Sequence, residues 1–121
     1  MHLIARAFTV QARQFVRRHK RAERLLIENL DVRQRGDYES RGYFYVVGGT
    51  TGRRYRIRHG RTLNVDELGP NGELLSTLCF VPKRHIPVAD VMLAQKLALE
   101  LFEPGTLAVA FRCWPSKLFL P

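Results

Sequence analysis

Between Thr51 and Arg61 the chain reads TGRRYRIRHGR, with five arginines, one histidine and two apolar residues. Arginine is suited to holding phosphate, because its planar guanidinium donates in bidentate fashion and keeps its charge at any cellular pH. Spacing decides how many of these groups act together. Residues two apart in a strand share a face. Arg54, Arg56 and Arg58 therefore form a row, about 7 Å from one to the next. Tyr55 and Ile57 point the other way, with Arg53 and His59 at the ends of their row. The segment is expected to be a half-buried strand whose outer side is lined with guanidinium groups. One use of such a row is contact with the phosphates of a nucleic acid. Arg61 and the upstream Arg13, Arg17, Lys20 and Arg24 join it as candidate contacts. Tyr43, Tyr45 and Tyr55 would add base stacking wherever their rings are exposed. The competing use is structural, with the arginines pairing to acidic residues of a neighbouring strand such as Asp66 or Glu67.

Other residue combinations carry weaker chemistry. Cys79, His85 and Cys113 could be drawn as a metal set, but zinc needs four well-placed ligands and no Cys-x-x-Cys or His-x-x-x-His pair is present. Neither a metal nor another cofactor is expected. Cys79 lies in an apolar run and reads as a small core residue. The glycines of GGTTG, residues 48–52, suggest a phosphate-cradling loop, yet the Gly-Lys-Ser/Thr ending is missing and a strand follows, which favours a hairpin turn. Cys79 with His85 as a nucleophile pair lacks an orienting third group. Asp90, Glu100 and Glu103 have no partner base or nucleophile and read as solubilising surface charges. His19 falls in an apolar helix seam, as a core or interface histidine would. No catalytic residue emerges, and the chain is expected not to be an enzyme.

The elements that position these residues follow from periodicity. Over residues 3–30, Phe8, Ala12, Phe15, His19, Ala22, Leu26 and Leu30 recur at three- and four-residue steps. Arg13, Arg17, Lys20 and Arg24 recur likewise on a second stripe, giving a helix with one apolar and one basic seam. Asp31 can cap a second short helix and Gly42 can end it, with Gly36 a weak point between them. From Tyr43 the period becomes that of strands. YFYVV, RRYRIRH, TLNVDEL and LLSTLCFV are separated by GGTTG, a possible two-residue His59-Gly60 turn, and GPNG. Residues 88–103 form an apolar helix that should cover one sheet face, its clearest polar stripe being Lys96, Glu100 and Glu103. Leu97 is placed on its buried side, so that Leu97→Asp is expected to unfold the domain. Pro104-Gly105 breaks this helix, and TLAVAFR is expected to add one or two further helical turns.

The whole chain of 121 residues carries 20 Lys+Arg against 11 Asp+Glu, a net charge of +9. Residues 1–62 account for +10 of it and residues 63–121 for −1. Such basicity raises the prior for an anionic partner without choosing one. An apolar fraction of 45% suffices for one core. Two cysteines do not make a disulfide framework. No secretory or membrane-spanning run is visible, so a cytoplasmic protein is expected. The Arg-rich first helix also has the character of an organelle transit peptide, though it is poor in serine.

The runs GYFYVVGGTTGRRYRIRHGRTLNVDEL, LCFVP and DVMLAQKLALELFE are similar to a group of small bacterial and phage-type proteins with no assigned activity. The shared pattern touches Gly42, Phe44, Val46, Tyr55–Ile57, Asn64, Val65, Leu78, Cys79, Asp90 and Met92–Leu97. It implies one ordered domain from about residue 21 to residue 112 and transfers no functional residue.

The sequence thus predicts a single α+β domain over 1–121. A basic helical segment (1–41) precedes a four-stranded antiparallel β-meander (42–82), a C-terminal helical segment packed on one sheet face (83–112) and an apolar tail (113–121). The expected function is non-enzymatic nucleic-acid binding through phosphates. The alternative is a structural or protein-interaction module, oligomeric or phage-like, that uses the apolar C-terminal helix and tail.

Overall fold

The computed structural model describes residues 2–82 and 86–115, with side chains described from Thr9 onward. Two helices lead the chain, α1 at His2–Glu28 and α2 at Val32–Arg41. The junction between them is written in local chemistry. Asp31 accepts a hydrogen bond from the Gln34 backbone N–H, and the Gln34 side chain accepts from the Asp31 N–H, a reciprocal capping box. Gly42 closes α2 in the left-handed region at φ 77°, where glycine carries no Cβ penalty.

Strands β1 (Tyr43–Val47), β2 (Arg54–Arg58), β3 (Val65–Leu68), β4 (Leu74–Cys79) and β5 (Phe111–Cys113) form one sheet in sequence order, antiparallel throughout. Helix α3 spans Val88–Leu101 and α4 spans Glu103–Val109. The class is α+β as expected, but the sheet has five strands. Phe111–Cys113, expected as helix end and tail, pairs with β4 instead. The open edge of β4 offers it backbone partners that water would otherwise hold.

Phe44, Val46, Tyr55, Ile57, Val65 and Leu78 project from one sheet face. Ala22, Leu26 and Leu30 from the α1 region, Tyr38 from α2, and Ala89, Met92 and Leu99 from α3 close over them. Among the described residues, the apolar seam of α1 therefore reaches the core only from Ala22 onward. Residues 9–18 are all exposed, Phe15 is 59% exposed, and His19 is half-buried against the Phe15 ring and carbonyl rather than in the core. The side chain of Phe8 lies outside the described residues.

Several local expectations are corrected. Between β2 and β3 runs a six-residue loop, 59–64, not a two-residue turn, and Leu63 takes φ 51° within it. Asn64 holds this loop to the domain through a reciprocal amide pair with Gln95 of α3, at 2.8 and 3.0 Å. The break expected at Pro104-Gly105 falls earlier, at Phe102, and Pro104 sits in the first turn of α4, which supplies the further helical turns expected there. Leu97 is 41% exposed, and Leu99 is the fully buried leucine. Lys96, read as surface, is buried along its stem and bonds Glu100. Cys79 alternates away from Leu78 onto the uncovered sheet face and is half-buried. The last residues of the tail, 116–121, lie outside the described residues.

Candidate nucleic-acid interface

Among the described residues no helix covers the second sheet face, and the strand period sorts the residues onto it. Opposite one another across β1 and β2 stand Tyr43 and Arg58, Tyr45 and Arg56, Val47 and Arg54. Asp66 of β3 is the next residue across from Arg56, and Thr77 of β4 lies beyond Asp66. The predicted row of Arg54, Arg56 and Arg58 is thus present and outward-facing. Tyr55 and Ile57 are fully buried on the other side.

The row is not bare. Asp66 is almost fully buried beneath the guanidiniums and takes both Arg56 and Arg58, with Nε to Oδ2 distances of 2.9 Å in each case. Thr77 donates to its other oxygen at 3.1 Å. Desolvation alone would raise the Asp66 pKa, but these donors and the two positive charges outweigh it and hold the carboxyl below its ordinary value. The structural use of the arginines foreseen in the sequence is therefore real at Arg56 and Arg58. It consumes one charge of three. Three guanidiniums against one carboxylate leave a surplus of two positive charges on the face.

Arg54 uses a ring instead of an acid. Its guanidinium carbon lies 4.5 Å from the Tyr45 ring centroid, and that of Arg56 lies 5.5 Å from the Tyr43 centroid. The two tyrosine rings meet edge to face at 5.6 Å. Arg41 donates to the Tyr43 hydroxyl at 3.3 Å, and this bond leads the influences that lower the Tyr43 pKa. Of the three tyrosines named from sequence, two are partly exposed on the arginine face and Tyr55 is in the core.

The remaining candidates lie elsewhere. Arg61, in the β2–β3 loop, donates to the Ile86 carbonyl ahead of α3 and is not part of the row. Arg53 turns to the covered side, 3.3 Å from Glu67, which also takes Arg112 at 3.4 Å. Arg13, Arg17, Lys20 and Arg24 are exposed on α1, which packs with α3 in the helical layer. The helix stripe and the strand row therefore do not share a face. A cleft of about 350 Å³ extends the row past Arg54, between the β1–β2 and β3–β4 turns, lined by Thr51, Gly52, Arg53, Leu68 and Pro70 among others.

One residue central to the site's support was misread from sequence. Glu103 is not a surface charge but is 1% exposed beneath the β1–β2 turn. It accepts from the Thr50 and Thr51 backbone N–H groups at 3.0 and 2.8 Å, and from the Thr51 and Tyr55 hydroxyls at 2.6 Å each. Desolvation, the largest single influence, raises its pKa, but the hydrogen bonds together overcome it and bring the value down to about 2. Gly48 and Gly49 make the contact possible. A Cβ on Gly48 would overlap the Glu103 carboxylate, and one on Gly49 would overlap the Glu100 carbonyl oxygen. The consecutive glycines were the available signal, but nothing in the sequence named their partner.

Among the described residues no group of three His, Cys, Asp or Glu side chains is placed to hold a metal ion, and both Cys79 and Cys113 are free thiols. His85 lies outside the described residues, so the Cys79–His85–Cys113 set has no geometry here. No described helix is long and apolar enough to cross a membrane. Comparison with protein families, curated proteins and solved structures gave no match to this chain.

Proposed function

We propose that this protein binds nucleic acid without catalysis, through the uncovered face of its sheet. The observation that carries the reading is the β1–β2 register, which sets Tyr43 and Tyr45 beside Arg58 and Arg56 and leaves Arg54 without an acidic partner in contact. Cations and partly exposed rings on one surface are the two components of nucleic-acid contact that does not read sequence. The helix stripe supplies a second, separate set of cations that would raise overall attraction.

The test is a salt titration of binding by fluorescence anisotropy. Replacing Arg54, Arg56 and Arg58 by Gln would strand the buried Asp66 carboxylate, which costs about 3–5 kcal/mol when a buried pair loses one side. Asp66→Asn is therefore added to those three. With the net surplus of two charges gone, the slope of log affinity against log salt should flatten by about 2 on duplex DNA and somewhat less on a single strand. An unchanged slope would move the contact to Arg13, Arg17, Lys20 and Arg24.

A second reading has its own observation. A groove of about 670 Å³ opens between the end of β4, α3 and α4, lined by Phe80, Ile86, Val91, Ala98, Phe102 and Val109 among others. Phe102 and Val109 are 69% and 72% exposed beside it. An apolar surface of this kind is one that a protein partner or a second copy covers. Purification separates the readings. A nucleic-acid binder carries 260 nm absorbance that high salt removes, whereas an interaction module elutes as an oligomer or with a protein.

A further inference from the structure

Resting on the reading above, we infer that the sheet face takes single-stranded nucleic acid in preference to duplex, with Tyr43 and Tyr45 each stacking one base and the β2 arginines holding the phosphates. Shape comes first. Five strands at about 4.8 Å spacing make a surface roughly 19 Å across, too broad to enter a major groove about 12 Å wide. A duplex could meet this face only with its backbone. The rings ask for something else. Tyr43 and Tyr45 lie on alternate positions of one strand, and their rings stand 5.6 Å apart and inclined at 77°, whereas stacked bases in a duplex lie parallel at a roughly 3.4 Å step. Bases that reach both rings must be unstacked from each other, as single strands allow.

The rings are already held as stacking surfaces. Arg54 and Arg56 lie over Tyr45 and Tyr43 at 4.5 and 5.5 Å. Such an exposed cation–π contact contributes only a few-fold to any equilibrium, whereas a base on an aromatic ring contributes roughly five- to a hundredfold in affinity. A base can therefore displace the Arg54 guanidinium, which is then free to turn to the adjoining phosphate, while Arg56 stays anchored on Asp66 and leaves the other side of the Tyr43 ring to a base. The charges also orient the strand. Beyond Tyr45, toward α2, a cleft of about 410 Å³ is lined by Asp31, Asp37 and Glu100 as well as by Arg33 and Arg54. Carboxylates there repel phosphate, so the backbone runs over β2 and the bases lie toward β1.

The experiment uses the full chain with labelled 12-mers at low salt: oligothymidine, oligouridine, an abasic strand with the same phosphates, and a mixed-sequence duplex. Oligothymidine or oligouridine should bind at least tenfold more tightly than the abasic strand. Tyr43→Leu/Tyr45→Leu should lose that advantage while keeping its affinity for duplex, and Tyr43→Phe/Tyr45→Phe should retain it. Equal affinity of the wild-type protein for oligothymidine, oligouridine and the abasic strand would overturn the inference while leaving phosphate binding intact. This comparison needs no variant to fold. Absence of binding to all four ligands would overturn both this inference and the nucleic-acid reading on which it rests.

Discussion

At the scale of single residues, two buried carboxylates do most to shape the candidate surface, and they do so differently. Asp66 lies under the face and neutralises part of it. Glu103 lies on the core side and fixes the turn that begins β2. Because its hydrogen bonds favour the charged form, the folded-state pKa of Glu103, about 2, is below its ordinary value of 4.5. A depressed carboxylate pKa contributes stability that is present above the unfolded value and is lost as pH falls toward the folded one. The protein should therefore lose stability progressively between about pH 4.5 and pH 2. Glu103→Gln should lower stability at pH 7 by about 2–3 kcal/mol, since a charged acceptor with several donors is replaced by a neutral amide. The variant should also show a shallower acid limb. Thermal melts of both proteins across pH 2–7 would measure this. An acid limb of equal steepness in the two would remove Glu103 from the account.

At the scale of elements, α3 illustrates what periodicity can and cannot decide. Apolar residues surround much of this helix, so its sequence gives no single seam, and Leu97 was placed on the wrong side. Leu97 is 41% exposed whereas Leu99 is fully buried against the sheet. Leu99→Ala should cost about 2–5 kcal/mol through lost burial and the cavity left behind. Leu97→Asp should cost less, about 1–2 kcal/mol, from lost partial burial and the poorer helix propensity of Asp, and should leave the domain folded. Chemical denaturation of the two variants checks the assignment, and a larger loss for Leu97→Asp would reverse it. The other elements divide along the same line. β1, β2 and the α2 caps were legible because alternation, Asp31 and Gly42 each act on neighbours in sequence. The outward arginine row was legible for the same reason. The fifth strand, the six-residue loop after Arg58 and the burial of Glu103 were not. Each depends on a partner far along the chain: β4 for Phe111–Cys113, Gln95 for Asn64, and the Thr50–Thr51 turn for Glu103.

At the scale of the whole molecule, the charge asymmetry of the sequence resolves into two basic surfaces on different layers. The arginine row faces outward from the sheet, and the Arg13, Arg17, Lys20 and Arg24 stripe lies on α1 in the helical layer. Net charge alone would draw a polyanion to either, since attraction of this kind acts over about a Debye length and does not select geometry. The sheet face differs in carrying rings among its cations, and that distinction is the central claim. The direct measurement is a nitrogen–proton NMR titration of the full chain with a short oligothymidine at moderate salt. The account predicts the largest amide shifts at Tyr43, Tyr45, Arg54, Arg56 and Arg58, with small shifts along α1. Shifts confined to α1 residues 13–24, or none at all, would contradict it.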